Sequence, residues 1–246
     1  MSHAEMSAQP QCPGSIAFTL NGENLIAHRA GVLWWSQEAT LVVADLHLEK
    51  GSSFARRGQF LPPYDSRATL ARLESVIAEL SPRRIIALGD SFHDREAAMR
   101  LGAQERNTLA KLQDGREWIW VSGNHDPIPP KDLGGHPCEE MTIGNLVFRH
   151  EPQIGALGEI AGHLHPCAKI RSRSRSIRRP CFVGDSDRMI LPAFGTLTGG
   201  LNIRDSAYAE LLRNTKNTLA YTLGDEQVHA LAFVDIIPDV KRARAS

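Results

Sequence analysis

Short apolar runs that end in metal-binding residue types are the feature of this chain that most constrains its fold. From Leu41 to Ala161, each run is rich in apolar residues and is followed at once by Asp, Asn or His. Such runs predict buried strands, and in open α/β sheets ligands bind at the carboxyl ends of the strands. The pattern therefore predicts an α/β fold whose polar side chains meet at one edge.

Five strand ends carry this pattern. In chain order, the polar residues are Asp45-Leu-His47, Gly89-Asp90, Gly123-Asn-His-Asp126, His150 and Gly162-His-Leu-His165. Each motif alone is more typical of an ordinary turn or of a structural histidine. Their joint occurrence favours one shared metal site over five coincidences. His136 competes with His150 as a candidate ligand, but it lies beside Gly135 in a predicted loop.

Composition limits the class of protein. With 246 residues, of which 42% are hydrophobic and 23% are charged, the chain suits one large domain or two small ones with a substantial core. Lysine plus arginine and aspartate plus glutamate both number 28. The molecule therefore has no bulk attraction for nucleic acid, and any such binding requires a local basic patch.

Cysteine usage and hydropathy predict the compartment. The four cysteines are scattered without a Cys-x-x-Cys pair, as is typical of reduced cytosolic proteins. The first residues lack the apolar core of a secretion signal, and no segment approaches the ~18 apolar residues of a membrane span. We therefore expect a soluble, cytoplasmic protein with no membrane partner.

The chain divides into three parts by composition. Residues 1–14 are polar and proline-containing, which predicts a flexible tail. Residues 15–238 alternate apolar runs with turn signals and predict a single domain. Residues 239–246 are basic and predict a second tail. No internal repeat is present.

Within the domain, an edge hairpin is expected between Ile16 and Trp35. The segment from Glu49 to Tyr64 matches neither helix nor strand, and a loop of this length in a compact domain is usually functional or disordered. Asp65 or Ser66 is expected to cap a helix that ends at Ser81, and Asp94 to cap a second helix that runs to about Gln113.

The five motifs, in this order, resemble the signature of the calcineurin-like metallophosphoesterases: D-x-H, G-D, G-N-H-D, H and G-H-x-H. Further segments resemble the bacterial ligase-associated DNA damage response endonucleases, also called PdeM-type phosphoesterases. These segments are Asp45–Gly51, Arg56–Asp65, Leu88–Asp94, Gly162–Pro166, Leu191–Gly195 and Thr198–Asn202. The resemblance extends over residues 25–236.

The resemblance implies a β-sandwich of two mixed sheets, flanked by helices in a single domain, with two divalent metal ions at the strand ends. It assigns Asp45, His47 and His165 to one ion, Asn124, His150 and His163 to the other, and Asp90 to a bridge between them. It favours manganese. Mixed imidazole and oxygen donors without thiolate also fit iron or zinc.

The chemistry of these residue types agrees with a two-metal site. A carboxylate such as Asp90 has two oxygens and is able to bridge two ions, whereas an imidazole has one free nitrogen. An extended backbone would present His163 and His165 on one face. Such ions lie ~3.5–4 Å apart and stabilise the attacking and leaving oxygens of an in-line displacement. With a bridging hydroxide as nucleophile, the site would carry about one positive charge, which suits a phosphodiester.

His125 is left without a metal in this scheme and is a catalytic candidate. It is placed to donate a proton to the leaving alkoxide or to stabilise charge on the phosphoryl oxygens. Asp126 either orients His125 through the other ring nitrogen or caps a following helix. Both interpretations of Asp126 remain open from the sequence.

Two basic regions compete as the phosphate-binding surface. Arg56 and Arg57 follow the first motif and therefore lie near the metals. The segment 169–179 carries six basic residues and no acid. In an extended chain, Arg171, Arg173 and Arg175 would form a row along one face that tracks a nucleic-acid backbone. Alternatively, the segment is a solvated hairpin whose charges keep a sheet edge from pairing.

Two further side chains are candidates for substrate contact. Tyr64, with Phe54 and Phe60 in the same segment, either stacks on unpaired bases or anchors the segment to the core. His93 either contacts substrate or belongs to a capping turn.

Three functions are compatible with these residues. The first is a DNA endonuclease that acts on single strands in DNA repair, associated with a DNA ligase and a helicase as the resemblance implies. The second is a phosphoesterase for small nucleotides or cyclic nucleotides. The third is a non-catalytic scaffold, which the complete ligand set and His125 argue against. The basic segment and the family resemblance favour the first.

Overall fold

Two β-sheets pack face to face in a computed structural model that describes residues 12–59, 61, 64–128, 130–172 and 175–239. The seven strands of the first sheet are β1 (Ile16–Leu20), β2 (Glu23–Ala27), β3 (Leu33–Trp35), β4 (Thr40–Val43), β5 (Arg84–Leu88), β6 (Glu117–Val121) and β7 (His136–Cys138). They lie in chain order across the sheet. The pairs from β1 to β4 are antiparallel, as expected for the hairpin, and the pairs from β4 to β7 are parallel.

The second sheet also mixes parallel and antiparallel pairs. Its nine strands are β8 (Glu140–Ile143), β9 (Leu146–Arg149), β10 (Glu159–Ala161), β11 (Pro166–Ser172), β12 (Arg175–Gly184), β13 (Arg188–Ile190), β14 (Leu201–Asn202), β15 (Leu219–Leu223) and β16 (Val228–Ala232). The spatial order is β14-β11-β12-β13-β10-β9-β8, and β15 joins β12 to β16. The predicted single domain with two mixed sheets is thus confirmed.

Helices flank the first sheet. They are α1 (Lys50–Arg56), α2 (Asp65–Leu80), α3 (Ala97–Arg100) and α4 (Ala103–Gln113), with 3₁₀ turns at Lys131–Leu133, Ser206–Tyr208 and Phe233–Asp235. Among the described residues, none of the helices combines the length and the apolar composition that a bilayer crossing requires.

The central strands are buried on both faces, which explains their nearly continuous apolar sequences. In β4, Leu41 and Val43 pack beneath the helices with Leu70 of α2. Val42, between them, points to the opposite face and packs with Phe148 of the second sheet. This double layer holds the strand ends rigidly at one edge of the molecule.

The segment between Glu49 and Tyr64, predicted to be irregular, contains α1. Gly51 and Ser53 are weak helix formers, so local propensity did not reveal the helix. Tertiary contacts stabilise it instead: Asp65 Oδ2 accepts a hydrogen bond from the Gly51 N–H at 3.0 Å, and Ser53 is buried. The predicted loop was therefore wrong for this part of the segment.

Two other helix predictions needed correction. Ser66 does not cap α2, because its Oγ accepts a hydrogen bond from the Glu49 N–H at 2.8 Å. The single helix expected from Asp94 to Gln113 is two helices, α3 and α4, because Gly102 adopts an extended conformation between them (φ −64°, ψ 160°).

Described residues next to both predicted tail boundaries contact the domain. The carbonyl of Gly14 accepts a hydrogen bond from the Val228 N–H at 2.7 Å, and Cys12 packs against the core. Asp239 forms ion pairs with Lys169 at 3.4 Å and with Arg178 at 3.1 Å. Residues 1–11 and 240–246 lie outside the described part of the chain.

Candidate metal centre

The expected ligands converge where the strand ends of the two sheets meet. Because β4, β5 and β6 are neighbouring parallel strands, Asp45, Asp90 and Asn124 leave the first sheet side by side. His150 follows β9 and His163 follows β10, which are parallel neighbours in the second sheet. The expected meeting of these side chains at one edge is present in the structure.

Tight turns, rather than extended chain, aim these side chains. Five of the expected ligands have a left-handed backbone: φ is 54° at Asp45, 43° at His47, 44° at Asp90, 69° at His163 and 46° at His165. Residues other than glycine rarely adopt this conformation, which costs about 1–3 kcal/mol each. The extended backbone expected for His163 and His165 was therefore wrong.

Two glycines make the close approach of the turns possible. A Cβ at Gly89, whose φ is +76°, would lie 2.3 Å from Nδ1 of His150. A Cβ at Gly123 would lie 2.2 Å from the backbone nitrogen of Asp90 and 2.6 Å from Oδ1 of Asp126. Any larger residue would push these side chains apart.

Asp45, His47 and His165 form a first group. Nε2 of His165 lies 3.2 Å from Oδ1 of Asp45 and 3.3 Å from Nε2 of His47. Asp45 is fully buried, and its Oδ2 accepts a hydrogen bond from the His163 N–H at 3.1 Å. The first group therefore offers one oxygen and two ring nitrogens to a common point.

Asn124, His150 and His163 form a second group. Oδ1 of Asn124 lies 2.9 Å from Nδ1 of His163 and 3.0 Å from Nε2 of His150. The other ring nitrogen of His150 donates to the carbonyl of Leu88 at 3.1 Å, which leaves Nε2 facing the group. His136, the competing candidate, lies exposed in the edge strand β7 rather than in the predicted loop.

Asp90 lies between the two groups. Its Oδ1 is 3.4 Å from Nε2 of His150, and its Oδ2 is 3.9 Å from Nε2 of His47. Ring nitrogens and oxygens that converge this closely form the mixed donor set of a divalent transition metal. The donor set therefore fits one cation in each group.

Burial and neighbouring charges shift the pKa values of several expected ligands. Burial raises the pKa of Asp90, but hydrogen bonds from His150 and from the His125 backbone outweigh it and lower the pKa to about 2. Burial lowers the pKa of His150, but the hydrogen bond with Asp90 and the charge of Asp45 outweigh it and raise the pKa to about 9. Burial lowers the pKa of His47 to about 3, which keeps this imidazole neutral and able to bind metal.

The sequence model of the calcineurin-like phosphoesterase family matches residues 39–194, which include both groups and Asp90. This chain belongs to the calcineurin-like phosphoesterase family. The prediction of a metal-dependent phosphoesterase is thus confirmed, and the family implies divalent metals as its cofactors.

A solved nuclease structure has a similar fold. The Pseudomonas putida nuclease MPE superposes with a TM-score of 0.67 at 28% sequence identity, and the match covers 88% of this chain and 100% of that one. The phosphoesterase Yfce from E. coli matches with a TM-score of 0.41 at 15% identity, covering 79% of this chain and 98% of that one. A comparison with curated proteins found no match.

In this calcineurin-like phosphoesterase, His125 stands at the open side of the metal centre. Its side chain is 41% exposed, and its Nε2 lies 3.9 Å from Oδ2 of Asp90. Its Nδ1 donates a hydrogen bond to the carbonyl of His93 at 2.8 Å. The backbone of His93 therefore orients the His125 ring and turns Nε2 toward the metal groups.

Asp126 plays neither of its expected structural roles. Its Oδ2 accepts a hydrogen bond from the Phe92 N–H at 3.0 Å, not from the His125 ring, and no helix starts at Asp126. The side chain is buried, and burial raises its pKa to about 7. Asp126 instead joins the turn after β6 to the turn after β5.

His93 lies beside His125 and His47, and one ligand atom of each of the three lies within 4.8 Å of the others. The two rings stack at 5.4 Å between centroids, and the ring of Phe54 lies 5.7 Å from His93 on the other side. Burial, with the charge of Lys50, lowers the pKa of His93 to about 4. Its Nδ1 is buried, with no hydrogen-bond partner in the described part of the chain. Phe54 thus anchors α1 against the site.

A cavity of about 430 Å³ opens directly beyond His93. We call it the arginine cavity; it is lined by Ser53, Arg56, Arg57, Asp94, Arg95 and Glu96. Arg56 and Arg57 thus line the same cavity as Asp94, the residue after His93, and their contact with substrate stays a prediction. Arg95 was missed by sequence reasoning, although its position after the Gly89-to-Asp94 segment is a signal that would have revealed it.

Tyr64 does not contact the described metal ligands. The same holds for the described residues of the arginine hairpin, which is formed by β11 and β12. Tyr64 is 64% exposed, and its ring lies 6.0 Å from the guanidinium of Arg67. Arg171 and Arg175 lie in β11 and β12, which pair in an antiparallel hairpin. Arg173 lies outside the described residues.

Arg171 and Arg175 do not lie on one face, although the expected row of arginines requires it. The chain reverses between β11 and β12, so Arg175 pairs with Ser172 while Arg171 pairs with Ser176. Paired residues share a face and neighbours alternate, so Arg171 and Arg175 point to opposite faces. Arg171 instead shares its face with Lys169 and Arg178, which pair with each other two residues further along the hairpin.

Proposed function

We propose that this protein is a two-metal phosphodiesterase that cleaves DNA, with a preference for single strands. The observation that carries the proposal is the position of Asp90, which turns one carboxylate oxygen to each group of ligands. Asp45, His47 and His165 would hold one ion, Asn124, His150 and His163 the other, and Asp90 both. Manganese is the proposed metal, and the donor types also suit iron or zinc.

When bound, the metals would supply Lewis-acid stabilisation and an activated water. The protein's own contribution is orientation and proton transfer. His125 is held through Nδ1 by the His93 carbonyl, so its Nε2 is free to donate a proton to the leaving oxygen. Asp126 acts as a positioning residue, because it fixes the Phe92 backbone next to His93.

DNA is the proposed substrate because a structural neighbour is a nuclease and because three arginines line a cavity together with Asp94, the residue after His93. A single strand is proposed because unpaired bases are able to reach the rings of His93 and Phe54. Tyr64, Arg171 and Arg175 remain proposed contacts further along the strand. The proposed role in DNA repair and the association with a ligase and a helicase rest on the family resemblance, and the proposed cytoplasmic location rests on cysteine usage and hydropathy.

The proposal is tested with purified protein, manganese and four substrates: a circular single strand, a duplex, an aryl phosphodiester and an aryl phosphomonoester. We expect scission of the circle and hydrolysis of the diester, with slower action on the duplex and the monoester. Diester hydrolysis without strand scission would favour a phosphoesterase for small nucleotides or cyclic nucleotides.

A matched pair of variants tests whether the activity comes from this site. Asp90→Asn removes the central charge and is expected to abolish metal binding and scission together. Asp114→Asn makes the same chemical change at an exposed position after α4 and should leave both intact. Scission that persists in Asp90→Asn would rule out the proposed centre.

A further inference from the structure

The arginine cavity carries more positive charge than its own acids neutralise. Glu96 pairs with Arg56. Asp94 is matched from outside the cavity by Arg100, whose two terminal nitrogens lie 3.0 Å and 2.7 Å from its carboxylate oxygens. Each acid of the cavity therefore has a guanidinium partner.

The other two arginines of the cavity are not neutralised in this way. In the part of the chain that the structure describes, no carboxylate lies within 4.0 Å of the guanidinium of Arg57 or Arg95. Both side chains are exposed. Two unmatched guanidinium groups that line the same cavity are suited to a phosphate, because their planar forks bind its oxygens in pairs.

The rings of His93 and Phe54 connect the arginine cavity to the metal groups. Asp94 directly follows His93, and Ser53 directly precedes Phe54, so the rings of His93 and Phe54 form the boundary on the metal side. The His93 ring centroid lies 5.6 Å from that of His47. The rings of His93 and Phe54 therefore lie between His47 of the metal site and the residues of the arginine cavity.

On the basis of the proposed function, we propose that the arginine cavity binds a second phosphate of the same strand, one nucleotide from the phosphodiester at the metals. Arg57 and Arg95 hold this phosphate, Arg56 supports it, and the intervening nucleotide lies over His93 and Phe54. The enzyme is thereby selective for diesters that carry a second phosphate. Arg95 is a substrate-binding residue in this account.

Three dinucleotides test the subsite: thymidylyl-thymidine without a terminal phosphate, with a 5′ phosphate, and with a 3′ phosphate. Dissociation constants and kcat/KM are measured for each with manganese. The wild-type protein is expected to bind one of the two phosphorylated forms about tenfold more tightly than the plain form. Which form it prefers gives the direction of the strand.

The preference must depend on the cavity. Arg57→Ala/Arg95→Ala should reduce the tenfold preference to near equality, whereas Arg57→Lys/Arg95→Lys should retain part of it. Arg29→Ala is the matched control, because it removes an exposed guanidinium that pairs with Glu79 elsewhere on the surface. It should keep the full preference.

Equal affinity of the wild-type protein for the three dinucleotides would overturn the subsite. So would an equal loss for all three in the Arg57→Ala/Arg95→Ala variant, since that result indicates a general effect on the site. Because affinity is measured apart from turnover, a protein that binds with the expected preference but cleaves nothing would contradict the proposed function and leave the subsite standing.

Discussion

Two cavities of nearly equal volume flank the metal centre and carry opposite charge. The arginine cavity has a volume of about 430 Å³. The other, which we call the glutamate cavity, has about 420 Å³ and is lined by Asn124, His150 and three glutamates, Glu139, Glu140 and Glu151. Arg149 pairs with Glu140 at 3.1 Å. Across the described ranges, no cation lies within 4.0 Å of Glu139 or Glu151.

The difference in charge between the two cavities indicates on which side a strand leaves the metals. A nucleic-acid strand brings a phosphate with every nucleotide, so one cavity attracts the next phosphate and the other repels it. Size alone would not distinguish the two sides. The charges give the proposed substrate a direction, from the metals across His93 toward Arg57 and Arg95.

The largest effect is expected at His125, which stands at the open side of the metal centre. His125→Ala should lower kcat for a phosphodiester by about 10²–10⁴-fold, because proton transfer to the leaving oxygen is lost. Metal content, measured by elemental analysis, should stay at two ions. His136→Ala, at an exposed histidine, is the control. A His125→Ala enzyme with near wild-type turnover would remove His125 from the reaction.

A smaller effect is expected when the glutamate cavity loses its charge. Glu139→Gln/Glu151→Gln should tighten the binding of a single-stranded oligonucleotide about two- to fivefold, the range of exposed charge interactions. Glu74→Gln, an exposed position on α2, controls for the change in net charge. Unaltered or weaker binding would mean that the two cavities do not sort the strand.

The exposed hairpin should contribute less than either cavity. Asp239 already pairs with Lys169 and Arg178, so it competes with phosphate on the face that Arg171 shares. Asp239→Asn should raise DNA affinity about twofold, and Arg171→Ala should reduce the salt slope of binding by at most about one. If Arg171→Ala and Arg175→Ala both leave the slope unchanged, the hairpin is only solvated.

A loss of activity at low pH has to be distinguished from a loss of folding stability at low pH. His28, which lines neither cavity, is expected to contribute to the pH dependence of stability. His28 is fully buried, its Nδ1 accepts a hydrogen bond from the Ala30 N–H, and burial lowers its pKa from 6.5. The unfolded chain therefore binds more protons below pH 6.5, so the free energy of unfolding falls as the pH drops through this range.

Urea unfolding at several pH values measures this contribution. His28→Gln should show a shallower loss of stability below pH 6.5 than the wild-type protein, and the same slope above it. This is the smallest expected effect. Parallel slopes of the two proteins at every pH would contradict it.

The sequence predicted those parts of the site that depend on strand ends. Apolar runs identify the strands, and parallel neighbours must end at one edge, so the meeting of Asp45, Asp90 and Asn124 followed from the pattern alone. The family resemblance then supplied the order of the motifs and the two-sheet architecture.

Features that depend on pairing between distant residues were not readable from the sequence. The left-handed turns at Asp45 and His163 are held by packing, and local preference argues against them. Similarly, α1 depends on the contact of Gly51 with Asp65, which are far apart in any local pattern. The partner of each arginine, such as Asp239 for Arg178, decides its free charge and is visible only in the fold.

The most direct test of the account is an anomalous-scattering crystal structure of the His125→Ala protein with manganese and the preferred phosphorylated dinucleotide. The account predicts two metal peaks ~3.5–4 Å apart on either side of Asp90, one phosphate at the metals and the second between Arg57 and Arg95. A single metal peak, or a second phosphate beside Glu139 and Glu151, would contradict it.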